Sequence, residues 1–238
     1  LTESRKLVER INAMCADLDA VRIMEVCGTH TVSLFRTGIR SLLPAPVKLI
    51  SGPGCPVCVT SQGYIDAAVE AAGRPEVTIC TYGDMLRVPG RSGSLELKRA
   101  QGARVVVCYS VRDALDYAEE HKNEEVIFLA VGFETTAPAT ALSVLEAGHR
   151  KVDNFSILSG HKRVMPALEA LLADGDVPID GFLLPGHVSV IIGSEAYRAV
   201  LERHGKGGVV AGFEPTQILN GIARLITQCT ENEPKLEN

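Results

Sequence analysis

Val47-Lys-Leu-Ile-Ser-Gly-Pro-Gly-Cys-Pro-Val-Cys58 takes a short apolar run into a corner rich in glycine and proline, and Ser61 to Ala72 then continues at helical spacing. The stretch reads as strand, turn, helix, the unit from which α/β proteins are built. Gly52, Pro53, Gly54 and Pro56 predict a sharp, preset turn between the two elements. Cys55 and Cys58 sit in that turn, spaced C-x-x-C. A turn that opens a helix aims backbone N–H groups at the sulfurs, which lowers a thiol pKa and favours the thiolate, the form that acts as nucleophile and metal ligand. A second cysteine motif, Cys27-Gly-Thr-His30, follows an earlier strand.

Strand and helix signals alternate outward from this stretch. Apolar runs predict strands over 21–26, 47–51, 77–81, 104–109, 125–131, 154–158, 179–184 and 208–213. Most do not alternate with polar residues, the pattern of strands buried on both faces of a parallel sheet. Helical spacing predicts helices over 2–17, 60–72, 94–101, 111–122, 138–148, 162–173, 195–204 and 215–228. The strand starts fall into two sets of four at nearly constant offset. Ser51-Gly52 is echoed by Ser159-Gly160, and Gly132-Phe-Glu-Thr-Thr136 by Gly212-Phe-Glu-Pro-Thr216. The expected fold is α/β with two similar lobes, each a mainly parallel four-stranded sheet flanked by helices, with a cleft between them. Residues 1–19 form an N-terminal helix, 20–115 the first lobe and 116–238 the second. A single (β/α)8 barrel fits less well, because the chain is short for one and the offset favours two sheets.

The chain has 238 residues, 46% hydrophobic and 22% charged, with a net charge of −5. That balance, no Trp and 5% aromatic residues argue against nucleic acid and anionic membrane as partners. No apolar run approaches the roughly 20 residues of a bilayer span, and Leu1 to Asp17 has no signal-peptide pattern. The chain opens on Leu1 and not on a methionine, which points to a trimmed or partial chain. A chain with a full core does not need disulfide staples, so a reducing cytoplasm is expected. Of the seven cysteines, Cys80 and Cys108 lie in strand-like runs and Cys15 and Cys229 in helical ones. These four read as packing residues.

In open parallel sheets, ligands bind beyond the carboxyl ends of the strands. The unusual residues fall there: Cys27 and His30, Cys55 and Cys58, Asp84 in Tyr82-Gly-Asp-Met85, Glu134 and Thr135 in Gly132-Phe-Glu-Thr-Thr-Ala-Pro138, and His187 in Pro185-Gly-His-Val-Ser189. Each has a plainer reading: Asp84 as a turn cap, Thr135 or Thr136 as a helix cap before Pro138, His187 as a solvated turn residue. His161 beside Lys162 and Arg163 reads as a solvated face, and His121, His149 and His204 as residues at helix C-termini. The cysteines admit three readings. Cys27, His30, Cys55 and Cys58 supply the three thiolates and one imidazole of a structural zinc. Cys55 and Cys58 form the dithiol of a thiol–disulfide oxidoreductase. Or Cys27 is the thiolate ligand of a transient soft or low-spin metal fragment, with the pair supplying electrons.

Cys27-Gly-Thr-His30, Gly52-Pro-Gly-Cys-Pro-Val-Cys58, Tyr82-Gly-Asp-Met85, Gly132-Phe-Glu-Thr-Thr-Ala-Pro138 and Pro185-Gly-His-Val-Ser189 together resemble the HypD family of [NiFe]-hydrogenase maturation factors, in family order and across most of the chain. The resemblance implies a metallocentre assembly scaffold and not a free-standing metabolic enzyme. It implies a complex with a HypC-type small chaperone and a HypE-type cyanide-delivering protein, on which an Fe(CN)2CO group is built for the hydrogenase large subunit. Cys27 matches the family's iron-holding cysteine, Cys55 and Cys58 its redox-active pair, and His187 its cleft histidine. His30 and Glu134 join these as residues acting on the bound group, and Asp84 and Thr135 join Cys27 in binding it. The family also carries a C-terminal region whose cysteines hold a [4Fe-4S] cluster. After the second lobe this sequence has only Cys229, so no four-cysteine set for it is present.

Overall fold

Nine strands form in a computed structural model that describes residues 2–16, 18–175 and 177–238. They are β1 (Val21–Cys27), β2 (Val47–Gly54), β3 (Val77–Thr81), β4 (Arg104–Val107), β5 (Glu125–Ala130), β6 (Phe155–Ser159), β7 (Gly181–Pro185), β8 (Gly207–Ala211) and β9 (Leu236–Glu237). Eight lie where the apolar runs place them. The fold is α/β with two parallel sheets flanked by helices, in the orders β2-β1-β7-β8-β9 and β4-β3-β5-β6. Leu1 and Asp17, within the expected N-terminal segment 1–19, and Asp176 lie outside the described residues. Among those described, no helix is long and apolar enough to cross a membrane.

The two units are not the sequential halves 20–115 and 116–238. One unit comprises Leu1–Cys55 and Arg163–Asn238, the other Pro56–Lys162. The Ser-Gly echo that suggested sequential halves falls on unlike strands. Ser51-Gly52 lies in the second strand of its unit, and Ser159-Gly160 at the end of the fourth of the other. The physical reason is that parallel strands need only a crossover of a dozen or more residues, which every βα step supplies. Regular spacing therefore says nothing about which strands pair. Within each unit the strands nevertheless run in the same spatial order, 2-1-3-4, with β9 extending the first sheet. This is the doubly wound order whose switch point lies between the first and third strands. In the first unit that point falls between β1 and β7, and in the second between β3 and β5.

Each unit has its own core. In the first, Leu7, Ile11 and Cys15 from the helix Thr2–Met14 and the turn after it pack with Ile218, Ile222, Leu225 and Ile226 of the helix Pro215–Glu231, against Ile23 and Leu183 of the sheet. Fully burying such an aliphatic side chain stabilises by about 2 kcal/mol. The N-terminal helix thus docks on the first unit. In the second, Ile65, Val69, Ile79, Leu95 and Leu129 fill one side of the sheet, and Ala114, Ala118, Val126 and Phe128 the other.

The Gly-Pro-Gly stretch is strand, not turn. β2 runs on to Gly54, and its register against β1 slips from Glu25↔Ser51 to Cys27↔Gly54. That slip is a β-bulge, and an edge strand is where a bulge and a proline are tolerated. A Cβ on Gly54 would lie 2.1 Å from the Val26 carbonyl oxygen and 2.5 Å from Cys27 Cα. Only glycine lets β2 press this closely on the end of β1.

Candidate functional site

Cys27 ends β1 and caps the helix Gly28–Arg36. It is 8% exposed, so its sulfur is covered more than its strand-end position suggests. The Thr29 N–H donates to its Sγ at 3.4 Å. Burial pushes the Cys27 thiol up. Hydrogen bonds from His187, from the Thr29 side chain and from the Thr29 N–H, with the charge of His187, outweigh it and hold the thiol below its ordinary value. The helix-start environment expected for Cys55 and Cys58 is therefore found at Cys27. After β2 the chain turns through 56–59, and the next helix, Gln62–Ala71, has Ser61 at its N-cap position without a side-chain capping hydrogen bond. Cys55 is half-buried and Cys58 exposed, both ahead of that helix and not at its first N–H groups.

His187 follows β7 in the first turn of the helix Gly186–Ile192 and is exposed. β1 and β7 are neighbours, paired Ile23↔Gly181 to Glu25↔Leu183, so Cys27 and His187 flank the switch point of the first sheet. Both helices that start here are absent from the sequence-based expectations. Gly28-Thr-His-Thr-Val32 and Gly186-His-Val-Ser-Val-Ile-Ile192 open on glycine and are rich in β-branched residues, which disfavour helix. Tertiary packing overrides that preference.

His30 departs from its expected role. It is fully buried, and its Nε2 lies 3.2 Å from the Ala211 carbonyl oxygen and 3.1 Å from that of Gly212. Carbonyls only accept, so Nε2 carries the proton. Burial pushes His30 down to about 4, against those two hydrogen bonds and with the charge of His187 adding to the fall. Its Nδ1 is buried without a hydrogen-bond partner. A neutral imidazole committed to β8 does not lower the Cys27 pKa; that is done by His187. Among the described residues no three His, Cys, Asp or Glu side chains form a metal-binding group.

Two residues here were not singled out from sequence. Phe213 lies against both imidazoles, 4.7 Å from His30 and 5.0 Å from His187 between ring centroids, and Ser33 Oγ donates to its carbonyl at 2.7 Å. Glu25, fully buried two residues before Cys27, accepts from Thr31 Oγ1 at 2.5 Å and lies 3.6 Å from Arg40 Nη2. It ties the helix that Cys27 caps to the strand that Cys27 ends. A carboxylate inside an otherwise apolar strand, Val21-Arg-Ile-Met-Glu-Val-Cys27, was the available signal.

The second unit gathers the other candidates at its own switch point. Asp84 is exposed in the short 3-10 helix Gly83–Arg87 after β3, and Glu134 and Thr135 are half-buried in the turn after β5. β3 and β5 are paired neighbours. Thr136 occupies the N-cap of the helix Ala137–Arg150 but makes no capping hydrogen bond; its Oγ1 donates to the Phe133 carbonyl oxygen at 3.1 Å. His161 is half-buried, 3.5 Å from Thr140 Oγ1 and 3.4 Å from Ser159 Oγ, with burial pushing it below its ordinary value. His121, His149 and His204 do end helices. Cys15, Cys80 and Cys108 are buried and Cys229 partly so.

Residues 2–238 match the family model HypD, described as "Hydrogenase formation hypA family". The "Hydrogenase maturation factor HypD" of Escherichia coli (strain K12) is 47% identical over 218 residues, which are 92% of this chain and 58% of that protein. Its namesake from Rhodobacter capsulatus is 43% identical over 238 residues, 100% of this chain and 63% of that protein. The "Hydrogenase expression/formation protein HupD" of Azotobacter chroococcum mcd 1 is 45% identical over 242 residues, 99% of this chain and 64% of that protein. The chain spans about three fifths of the length of these curated relatives.

Proposed function

The chain belongs to the HypD family of hydrogenase maturation factors, and from that premise we propose that it is a scaffold on which the Fe(CN)2CO group of [NiFe]-hydrogenase is assembled, with Cys27 as the iron ligand and Cys55 and Cys58 as a redox-active dithiol. The observation that carries the proposal is the Cys27 sulfur: set at the switch point of the first sheet, capped by the Thr29 N–H, and held toward the thiolate by His187. A thiolate is the donor that a soft, low-spin iron fragment takes. The scaffold works in the cytoplasm, with a HypC-type small chaperone and a HypE-type cyanide-delivering protein. The finished group passes to the hydrogenase large subunit.

The iron fragment is cargo, and the chemistry asked of this chain is ligation and electron supply. Cyanide delivered as a thiocyanate on a carrier sulfur leaves as CN− when the S–C bond takes two electrons. The Cys55 and Cys58 thiolates supply both by closing to a disulfide, and the carrier sulfur departs as a thiolate, so atoms and charge balance. An external dithiol then returns the pair to thiols. Among the described residues no cysteine set for a [4Fe-4S] cluster is found.

The test is infrared spectroscopy on the chain purified with its small chaperone and given iron, the cyanide donor and dithiothreitol. Cyanide stretching bands are expected, lost together with the iron in Cys27→Ala. In Cys55→Ala the chaperone still binds and some iron remains, but the cyanide bands fall at least tenfold. Full iron and normal bands in Cys27→Ala would overturn the assignment of Cys27. A dithiol that stays reduced under mild oxidant, read by mass after alkylation, would overturn the electron-donor role.

A further inference from the structure

From Val26 to Ile65 the sequence contains no Asp or Glu, while it carries Arg36, Arg40 and Lys48. The net charge of −5 is borne entirely by the rest of the chain. The nearest carboxylate before this run, Glu25, is buried under Arg40 and does not reach the surface. The run begins beside the site cysteine, and its first helix, Gly28–Arg36, starts from Cys27.

Within this run three large apolar side chains are exposed: Val32 at 48%, Phe35 at 63% and Leu42 at 55%. Val32 and Phe35 are three apart on one helix and share a face. The Arg40 guanidinium lies 5.1 Å from the centroid of the Phe35 ring. The same guanidinium donates to the Leu49 carbonyl oxygen of β2, next to exposed Lys48. Arg40 thus joins the helix, the edge strand and the ring into one surface and holds the ring outward. Arg36 and Lys48 are exposed and make no ion pair among the described residues. An aromatic ring fixed on an arginine, framed by unpaired cations, is the composition of an interface anchor and not of ordinary solvated surface.

We propose that the Val32–Phe35–Leu42 surface, framed by Arg36, Arg40 and Lys48, is the docking face for a protein partner that presents apolar side chains ringed by carboxylates. Charge complementarity selects that occupant. A second copy of this chain would bring like cations together, and a basic partner would be repelled. An anionic lipid surface would meet the cations but is opposed by the net charge of the rest of the chain. The inference rests on the scaffold reading and deepens it by assigning this face to the small chaperone. A partner seated here lies against the helix that Cys27 caps.

The test measures binding of the HypC-type small chaperone to the full chain by titration calorimetry at 50 and 300 mM NaCl. Phe35→Ser is expected to weaken binding at least tenfold. The double variant Arg36→Glu, Lys48→Glu should do the same and flatten the salt dependence. Leu142→Ser removes an equally exposed apolar side chain, 63% exposed, from the other unit, and should bind as wild type. All four positions are exposed, and circular dichroism checks that each variant folds. If the chaperone binds wild type and the Phe35 and Arg36/Lys48 variants alike, or if Leu142→Ser weakens it as much, the docking face is wrong and the scaffold reading stands. If wild type binds no chaperone, both fall. Binding of wild type to phosphatidylserine vesicles, lost in Phe35→Ser, would overturn the protein partner in favour of a membrane surface.

Discussion

Cys27 and His187 test the site at the scale of single residues. The sulfur should be alkylated by iodoacetamide with a pH midpoint below the roughly 8.5 of an ordinary thiol, because burial is outweighed by the His187 and Thr29 hydrogen bonds. In His187→Ala the midpoint should rise; an unchanged profile would remove His187 from the site. The same shift acts on stability. A thiol pKa depressed in the folded state contributes stability that is fully present above the unfolded value and is lost as pH falls through the folded one. His30 acts in another window. With its folded pKa near 4 against 6.5 for an unburied imidazole, the unfolded chain binds the extra proton first. Stability should therefore fall as pH drops from about 6.5 toward 4, by up to about 3 kcal/mol. His30→Gln should flatten that part of the curve in urea melts at pH 7.0, 5.5 and 4.5. A slope that persists in the variant would assign the loss elsewhere.

At the scale of elements, the bulge of β2 is the most exacting feature near the site. A Cβ at Gly54 meets backbone of β1 and has no flexible neighbour to displace. Gly54→Ala should cost about 3 kcal/mol, the upper end for forced overpacking, and move Cys27 relative to His187. Gly63, in the first turn of the helix Gln62–Ala71, has nothing within 4 Å of a built Cβ. Gly63→Ala should stabilise by about 0.5–1 kcal/mol. Denaturant midpoints of the two variants separate a positional requirement from a general glycine effect. Equal shifts in the same direction would contradict the register slip as the reason for the Gly-Pro-Gly stretch.

At the scale of the whole molecule, the two units differ in continuity. Pro56–Lys162 is one uninterrupted segment containing all four strands of its sheet and both layers of its core. The other unit pairs β1 and β2 with β7, β8 and β9 from the far end of the chain. A fragment of residues 56–162 should therefore fold alone and melt cooperatively with helix and strand circular dichroism. Residues 1–55 alone should not, since they keep β2 but lack β7, the other partner of β1, and much of the core of the helix Thr2–Met14. A fragment 56–162 that stays unfolded would show that its core needs the other unit.

The sequence alone determined what local pattern encodes. Unalternating apolar runs located eight strands to within a few residues, because burial on both faces leaves no place for polar side chains. The residue types of the strand-end motifs singled out Cys27 and His187, since strand ends in a parallel sheet are where chemistry is exposed. What only the tertiary structure decided are non-local contacts. The joining of β1 to β7 and not to β3 follows from which apolar faces pack together, and strand spacing carries no trace of it. The helices Gly28–Arg36 and Gly186–Ile192 form against their own β-branched and glycine composition because the sheet edge supplies packing that propensity does not include. Those two helices settle which cysteine receives the helix N–H groups. They also turn His30 inward to the Ala211 and Gly212 carbonyls at the end of β8 and bring His187 to Cys27 across 160 positions of sequence. Such a contact is set by the packing energy of the whole first unit, which no window of neighbouring residues contains.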